Sequence, residues 1–317
     1  MAGTLLRSMA RHLEWWHYVV CLLVLLQIAF FLIPQTRPGL LGVVCWWFGS
    51  DRLLWLGITA LLLLCALGWS VWHRPFWSWW RAGGYLAIVA LTISPLAFRT
   101  YPSSFDDKPS SVRFRLPLDG PVTVAWGGAT PDVNYHVIAP EQRWAYDLVV
   151  AKDGKTFRRD GKTCEDYYCY GLAVLAPADG TVHAVSDGEP DMPIGVMGGG
   201  KDAGGNQVVL EVAPNEFLFL CHLQPGSITV KKGDRVTAGQ VVGRVGNSGN
   251  TSEPHLHIHL QHGPDPDFAE GIPLYFHNYR VGDLFVDRGM PTGGATGDRW
   301  KGQLVEHVGQ PSDRSGK

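Results

Sequence analysis

Between Trp16 and Ile33 the chain is almost uninterruptedly apolar, with His17 at its edge and Gln27 the one polar residue of its interior. In hydrocarbon every backbone N–H and C=O must be bonded within its own segment, so such a run has to be a helix, and about 20 residues of helix cross a bilayer. A second run, Leu53–Trp72, carries no charge; a third, from Gly83 to Phe98, is shorter, contains Pro95 and is closed by Arg99. The expectation for residues 1–100 is therefore an all-α transmembrane segment of about three helices, with spans near 16–33, 53–72 and 83–98. Two spans plus an interfacial helix is the competing count. Trp15, Trp16, Trp46, Trp47, Trp72, Trp77, Trp79 and Trp80 flank the runs, where amphipathic rings settle at headgroup level. Arg7 and Arg11 precede the first run and Arg74 and Arg81 lie between the second and third, against Arg37 and Arg52 beside Asp51 on the other side. That modest bias keeps the amino terminus in the cytoplasm, and an odd number of spans delivers everything after Arg99 to the far face. The first run is too long for a cleavable signal, and two more follow it.

Beyond a linker at 101–117 the pattern changes to short apolar runs separated by Gly, Pro, Asp and Asn: Val122–Trp126, Trp144–Val150, Gly180–Val185, Gln207–Val212, Phe217–Leu223, Gln240–Val245 and His255–Gln261. With no amphipathic helix among them, these predict an all-β domain over 118–288, an antiparallel sandwich or partly open barrel. Ser186–Gly205, with seven glycines and two prolines, reads as a mobile loop over one face, and 289–317 as a disordered tail. A net charge of −2 and no basic block in the globular part give no case for a nucleic-acid partner. Cys164 and Cys169, on the extracytoplasmic side by this topology, are candidates for a short disulfide loop.

Chemistry concentrates around Gly246–Leu260. Gly, Asn, Ser and Pro make a turn; then Leu256, Ile258 and Leu260 alternate with His255, His257 and His259 at the period of a half-buried strand. Same-face neighbours stand roughly 7 Å apart, so two imidazoles can converge on one metal ion, or one can bind while the other faces a water. A solvated strand face that happens to carry histidines is the plainer reading. Asp147, flanked by Ala145, Tyr146, Leu148, Val149 and Val150, would be desolvated at a large cost without a cation or several hydrogen bonds. His222 is embedded in the apolar run 217–223, and His136 lies in a turn-rich stretch upstream of Asp147. Together His136, Asp147, His222, His255 and His257 suffice for a three-ligand metal with two further imidazoles beside it.

Asp179-Gly180-Thr181-Val182, Gly205-Asn206-Gln207-Val208-Val209, His222-Leu223, Val230–Val236, Gly239-Gln240 and Gly246–His257, ending in Pro254-His255-Leu256-His257, occur in the order found in lysostaphin-type (LytM-domain) zinc endopeptidases. The resemblance covers roughly 118–282 and leaves out the membrane segment. It implies the duplicated hybrid motif fold and one Zn2+ per chain held by His136, Asp147 and His257, with His222 and His255 as the catalytic, non-ligand histidines. It also implies hydrolysis of peptide bonds in bacterial peptidoglycan, in its crosslinks or stems, or in another extracytoplasmic peptide; the apolar runs, read separately, would tether such an enzyme in the inner membrane lipid with its peptidase domain on the periplasmic side. A regulatory protein partner is left open. The alternative is a non-catalytic cell-wall-binding or regulatory module of the same fold. Ten residues separate His136 from Asp147, where the family usually has three, which reads as a longer loop. His259 is either a partner of the metal-binding residues or simply a polar strand residue, the latter being favoured, and His183, His262, His277 and His307 get no role.

Overall fold

The computed structural model describes residues 13–309, apart from 38, 199–200, 297–298 and 301. Arg7 and Arg11 lie outside the described residues. The chain divides after Pro102 into two compact units.

The first unit is helical: α1 Trp15–Thr36, α2 Leu40–Ser50, α3 Arg52–Trp72 and α4 Trp79–Ile93. Two of these, α1 and α3, are long and apolar enough to cross a membrane. The third expected span is a 15-residue helix continued by a 3-10 turn, Ser94–Ala97, because Pro95 lacks the amide that would extend the α-helix. The short apolar helix α2 was not anticipated; it packs on α1, where the Gln27 carboxamide donates to the Gly49 carbonyl at 2.9 Å. Contact there is close enough that a Cβ on Gly49 would lie 2.9 Å from the Phe30 Cβ. Asp51 caps α3 by accepting from the amides of Leu53 and Leu54, both at 3.0 Å. Arg81 is not a free topogenic charge: its guanidinium donates to the Glu14 carboxylate and to the Pro75 carbonyl.

The second unit is built on strands β1 Pro121–Trp126, β2 Tyr146–Val149, β3 Ala173–Leu175, β4 Gly180–Ser186, β5 Gln207–Ala213, β6 Glu216–Cys221, β7 Arg235–Val236, β8 Val241–Arg244, β9 Leu256–His262, β10 Glu270–Gly271, β11 Phe276–Val281, β12 Leu284–Gly289, β13 Ala295–Thr296, β14 Arg299–Trp300 and β15 Leu304–His307. An eleven-stranded antiparallel sheet runs β12-β11-β15-β1-β2-β9-β6-β5-β4-β7, with β10 added on β9; β3-β8 and β13-β14 are separate pairs. The inward residues of β9 (Leu256, Ile258, Leu260) join Val122 and Val124 of β1, Leu148 of β2, Leu218 and Leu220 of β6, and Val174 and Val242 of the β3-β8 pair in one buried cluster. At ~1.5–3 kcal/mol per large apolar side chain, that cluster pins the register of the central strands.

Two boundaries differ from expectation. From Ser103 onward the supposed linker belongs to the β unit: Phe114, Leu116 and Leu118 are buried in its core, and Ser104 and Ser110 donate to Glu270 and Glu216. The supposed tail contributes β15, which pairs with β1 and β11 and buries Val305. One buried apolar residue in a polar, Gly-rich stretch gives no periodic signal, yet its strand completes the sheet between β11 and β1. Residues 310–317 lie outside the described residues. After Ser186, which ends β4, the described residues up to Gly205 form no strand, but they are tied along the turn before β9. The amides of Met192 and Gly195 donate to the carbonyls of Asn247 and Ser252, and the amide of Gly198 to the Asn250 side chain.

Glu141 is buried with one carboxylate oxygen unpartnered, and burial pushes its carboxyl up to about 7. The folded state then binds the proton more tightly than the unfolded chain, so this group's stabilisation is complete below about 4.5 and is lost as pH rises through about 7. Glu141→Gln should raise the unfolding free energy at pH 8 by up to about 3 kcal/mol, read as a higher thermal midpoint, and leave the midpoint unchanged at pH 4. Equal midpoints at pH 8 would contradict the assignment.

Candidate metal centre

The site is set by register. On β2 and β9 Asp147 lies directly opposite His257, and on the other flank of β9 Cys221 of β6 is opposite the same histidine. Because Leu256, Ile258 and Leu260 face the core, His257, His259 and Gln261 must share the other face. That face is not solvated: all three are buried, and Val209, Phe217, Phe219 and Cys221 form a second apolar cluster on the sheet. His259 stacks on Phe219 with ring centroids 4.6 Å apart and 11° between planes. The expectation that His259 is merely a polar strand residue is therefore corrected.

His136 arrives from the 3-10 turn Tyr135–Ile138, capped by Asn134. The Asn134 amide nitrogen donates to the carbonyls of Gly128 (2.9 Å) and Ala145 (3.1 Å), which fixes which end is oxygen. That oxygen accepts from the His136 backbone amide at 3.1 Å and from its ring Nδ1 at 2.9 Å. With the ring proton on Nδ1, Nε2 carries a bare lone pair, and it lies 3.5 Å from Asp147 Oδ2. Burial pushes His136 down to about 3 even against the opposing pull of Asp147, so it is neutral near pH 7. Burial would raise the Asp147 carboxyl, yet among the polar groups of His136, His255 and His257 it stays below the ordinary carboxylate range. Tyr135 donates its phenol to Asp147 Oδ2 at 3.1 Å, and burial together with that carboxylate pushes the phenol up.

Donor atoms of His136, Asp147 and His257 all lie within 4.8 Å of one another, and all three residues are buried. A lone pair and a carboxylate that face each other across 3.5 Å with no proton between them are the arrangement a cation satisfies. Two imidazoles and one carboxylate also match a three-ligand zinc set, so the residues present fit that ion.

His222 and His255 stand beside this group. His222 follows β6 with φ +62°, a left-handed turn that brings its ring to 4.7 Å from His255 and 5.8 Å from His257. Its Nδ1 donates to the Ser248 carbonyl at 2.8 Å. That carbonyl is held where Gly205 and Gly249 cross, since a Cβ on Gly205 would sit 2.4 Å from the Ser248 carbonyl carbon. His255 Nδ1 donates to the Glu253 carbonyl at 2.8 Å, and its Nε2 is 3.5 Å from Asp147 Oδ1. His222, kept neutral by burial, thus presents a bare Nε2. A cleft of about 200 Å3 opens here, lined among others by Trp126, Tyr135, Asp147, Met197, Glu253 and His255.

All five histidines and carboxylates singled out in the sequence are brought together. Asn134, Tyr135 and Gln261 were missed as contributors. Gln261 was legible as the next member of the period-two series 255, 257, 259, and Asn134 as a capping residue two positions before a histidine. Cys164 and Cys169 are free thiols, the latter buried and donating to the Pro254 carbonyl at 3.0 Å, so the expected disulfide is absent.

The sequence model of peptidase family M23 matches residues 166–267, which hold His222, His255 and His257 but neither His136 nor Asp147. Peptidoglycan DD-endopeptidase ShyA of Vibrio cholerae is 37% identical over 90 residues, 27% of this chain and 20% of that protein. The chain thus spans about a fifth of that relative's length. Among solved structures, the catalytic domain of the prophage-encoded M23 protein EnpA from Enterococcus faecalis is 21% identical, covering 56% of this chain and 95% of that one, with a TM-score of 0.31. The catalytic domain of lysostaphin from Staphylococcus simulans is 20% identical, covering 47% and 86%, with a TM-score of 0.29. By the family model and the ShyA match, residues 166–267 belong to a LytM-type domain of peptidase family M23.

Proposed function

We propose that the chain is a zinc-dependent endopeptidase anchored in the bacterial inner membrane, its β unit on the periplasmic side, that hydrolyses peptide bonds of peptidoglycan. The observation that carries the reading is the meeting of ligand atoms from His136, Asp147 and His257, all three buried, within 4.8 Å of one another. These three residues would hold the zinc. When bound it supplies Lewis acidity to a carbonyl and brings the pKa of a water to about 7. The chain's own part is proton handling and orientation. The Nε2 atoms of His222 and His255 can each accept a proton and return it to a leaving amine, because each Nδ1 is held by a backbone carbonyl and the ring cannot turn away. Tyr135 holds one oxygen of Asp147 and thereby fixes the orientation of the carboxylate. The apolar helices α1 and α3 fit an anchor, and peptidoglycan as substrate is supported by the family and by the activity in the ShyA name.

The test is elemental analysis of the full chain purified in detergent, paired with release of new peptide ends from purified peptidoglycan. Wild type should carry about one zinc and cut; His257→Ala and Asp147→Ala should lose both. His255→Ala should keep the zinc and lose about 10²–10⁴-fold in turnover. A folded, metal-free wild type that binds peptidoglycan without cutting it would overturn the enzyme and favour a cell-wall-binding module. Asn134→Leu, which removes the acceptor for His136 Nδ1, should weaken zinc 10–100-fold in chelator competition with the thermal transition retained. Unchanged affinity would remove Asn134 from the site.

A further inference from the structure

His257 touches Asp147 through Nδ1, at 2.9 Å from Oδ1, and its other nitrogen, Nε2, lies 3.0 Å from His259 Nδ1. His259 Nε2 in turn lies 3.1 Å from Gln261 Oε1. Each ring nitrogen could in principle donate or accept, so the chain of contacts has two possible directions. Gln261 decides between them. Its amide nitrogen donates to two backbone carbonyls, Gly263 at 2.8 Å and Asp265 at 2.7 Å. Turning the amide over would aim an oxygen at two oxygens inside a fully buried position. Gln261 Oε1 therefore faces His259 and can only accept, so His259 Nε2 carries the proton. A neutral His259 then offers a lone pair at Nδ1, and His257 Nε2 must donate to it. His259 is buried face to face with Phe219 of the second apolar cluster, where a charged ring would be uncompensated, so the ring is neutral. His257 is left with its proton on the far side and a lone pair at Nδ1, directed at the position it would share with Asp147 and His136.

We infer that His259 and Gln261 are positioning residues, a two-step hydrogen-bond relay that fixes the Nε2–H tautomer of His257 and so keeps its Nδ1 free to bind the metal. The device mirrors that at His136. There a carboxamide pinned by two carbonyls acts on the ring directly, through Asn134; here it acts through a second imidazole. The two ligand histidines present opposite nitrogens, Nε2 from His136 and Nδ1 from His257, and each choice is made by an amide that cannot turn over. Without the relay, His257 Nδ1 would gain by carrying a proton and donating it to Asp147 at 2.9 Å, which would block the site. Stacking on Phe219 holds the intermediate ring in plane. The inference rests on the proposed metal role of His257, but the tautomer it predicts is a property of the metal-free chain.

The experiment is long-range 1H–15N correlation NMR of histidine-labelled, metal-free full chain in detergent, with zinc affinity measured by chelator competition. Wild-type His257 should show the Nε2–H form. In His259→Phe, which keeps the ring stack and deletes both polar atoms, His257 should shift to the Nδ1–H form and zinc should weaken 10–100-fold. His259→Gln restores an acceptor and should recover wild-type affinity to within about threefold, while Gln261→Leu, one step further from the ligand, should reproduce His259→Phe in weaker form. A wild-type His257 in the Nδ1–H form, or a folded Gln261→Leu or His259→Phe chain with unchanged tautomer and affinity, would overturn the relay. A chain that shows the predicted tautomer and its loss in the variants but binds no zinc would leave the relay standing and sink the metal reading.

Discussion

Acceptors that face one another with no proton to share are the constraint on which the rest of this site depends. A buried carboxylate and two imidazole lone pairs would repel, or draw protons and collapse into hydrogen bonds, unless a cation lies among them. The fold holds them apart from that collapse by external means. Asn134 occupies the proton of His136, and Ser248 and Glu253 occupy those of His222 and His255 with backbone carbonyls. Each ring is thus committed on its outer side before anything binds on its inner side, which is preorganisation in a concrete form.

The commitments in turn depend on strand register. A one-residue slip of β9 against β2 would carry His257 into the core and Ile258 onto the site face. The slip is opposed by the burial of Leu256, Ile258 and Leu260 among residues from β1, β2, β6 and the β3-β8 pair. The core therefore acts at a distance: apolar residues on one face of the sheet set where Asp147 and His257 stand on the other.

This division explains what was legible in the sequence. Period-two alternation around 255–261 fixed both the strand and its two faces, and an aspartate inside an apolar strand signalled compensation nearby. His222 stood out for the same reason. What could not be read was carried by single contacts. The left-handed φ at His222, the wrap of Phe114 and Leu116 onto the β unit, and the pairing of β15 each depend on partners distant in sequence. His259 was misjudged because alternation gives the face and not the cover: the apolar cluster of Val209, Phe217, Phe219 and Cys221 that buries it comes from other strands. In the helical unit the two long apolar runs were plain, while α2, too short to announce itself as a span, is specified by its packing on α1 through Gln27 and Gly49.

The most direct measurement is zinc-edge X-ray absorption on the full chain loaded with one equivalent of zinc. The account predicts a first shell of nitrogen and oxygen only, at about 2.0–2.1 Å, with imidazole outer-shell scattering from two rings. A sulfur shell at about 2.3 Å would place the ion on cysteine instead, and failure to retain zinc at all would contradict the site outright.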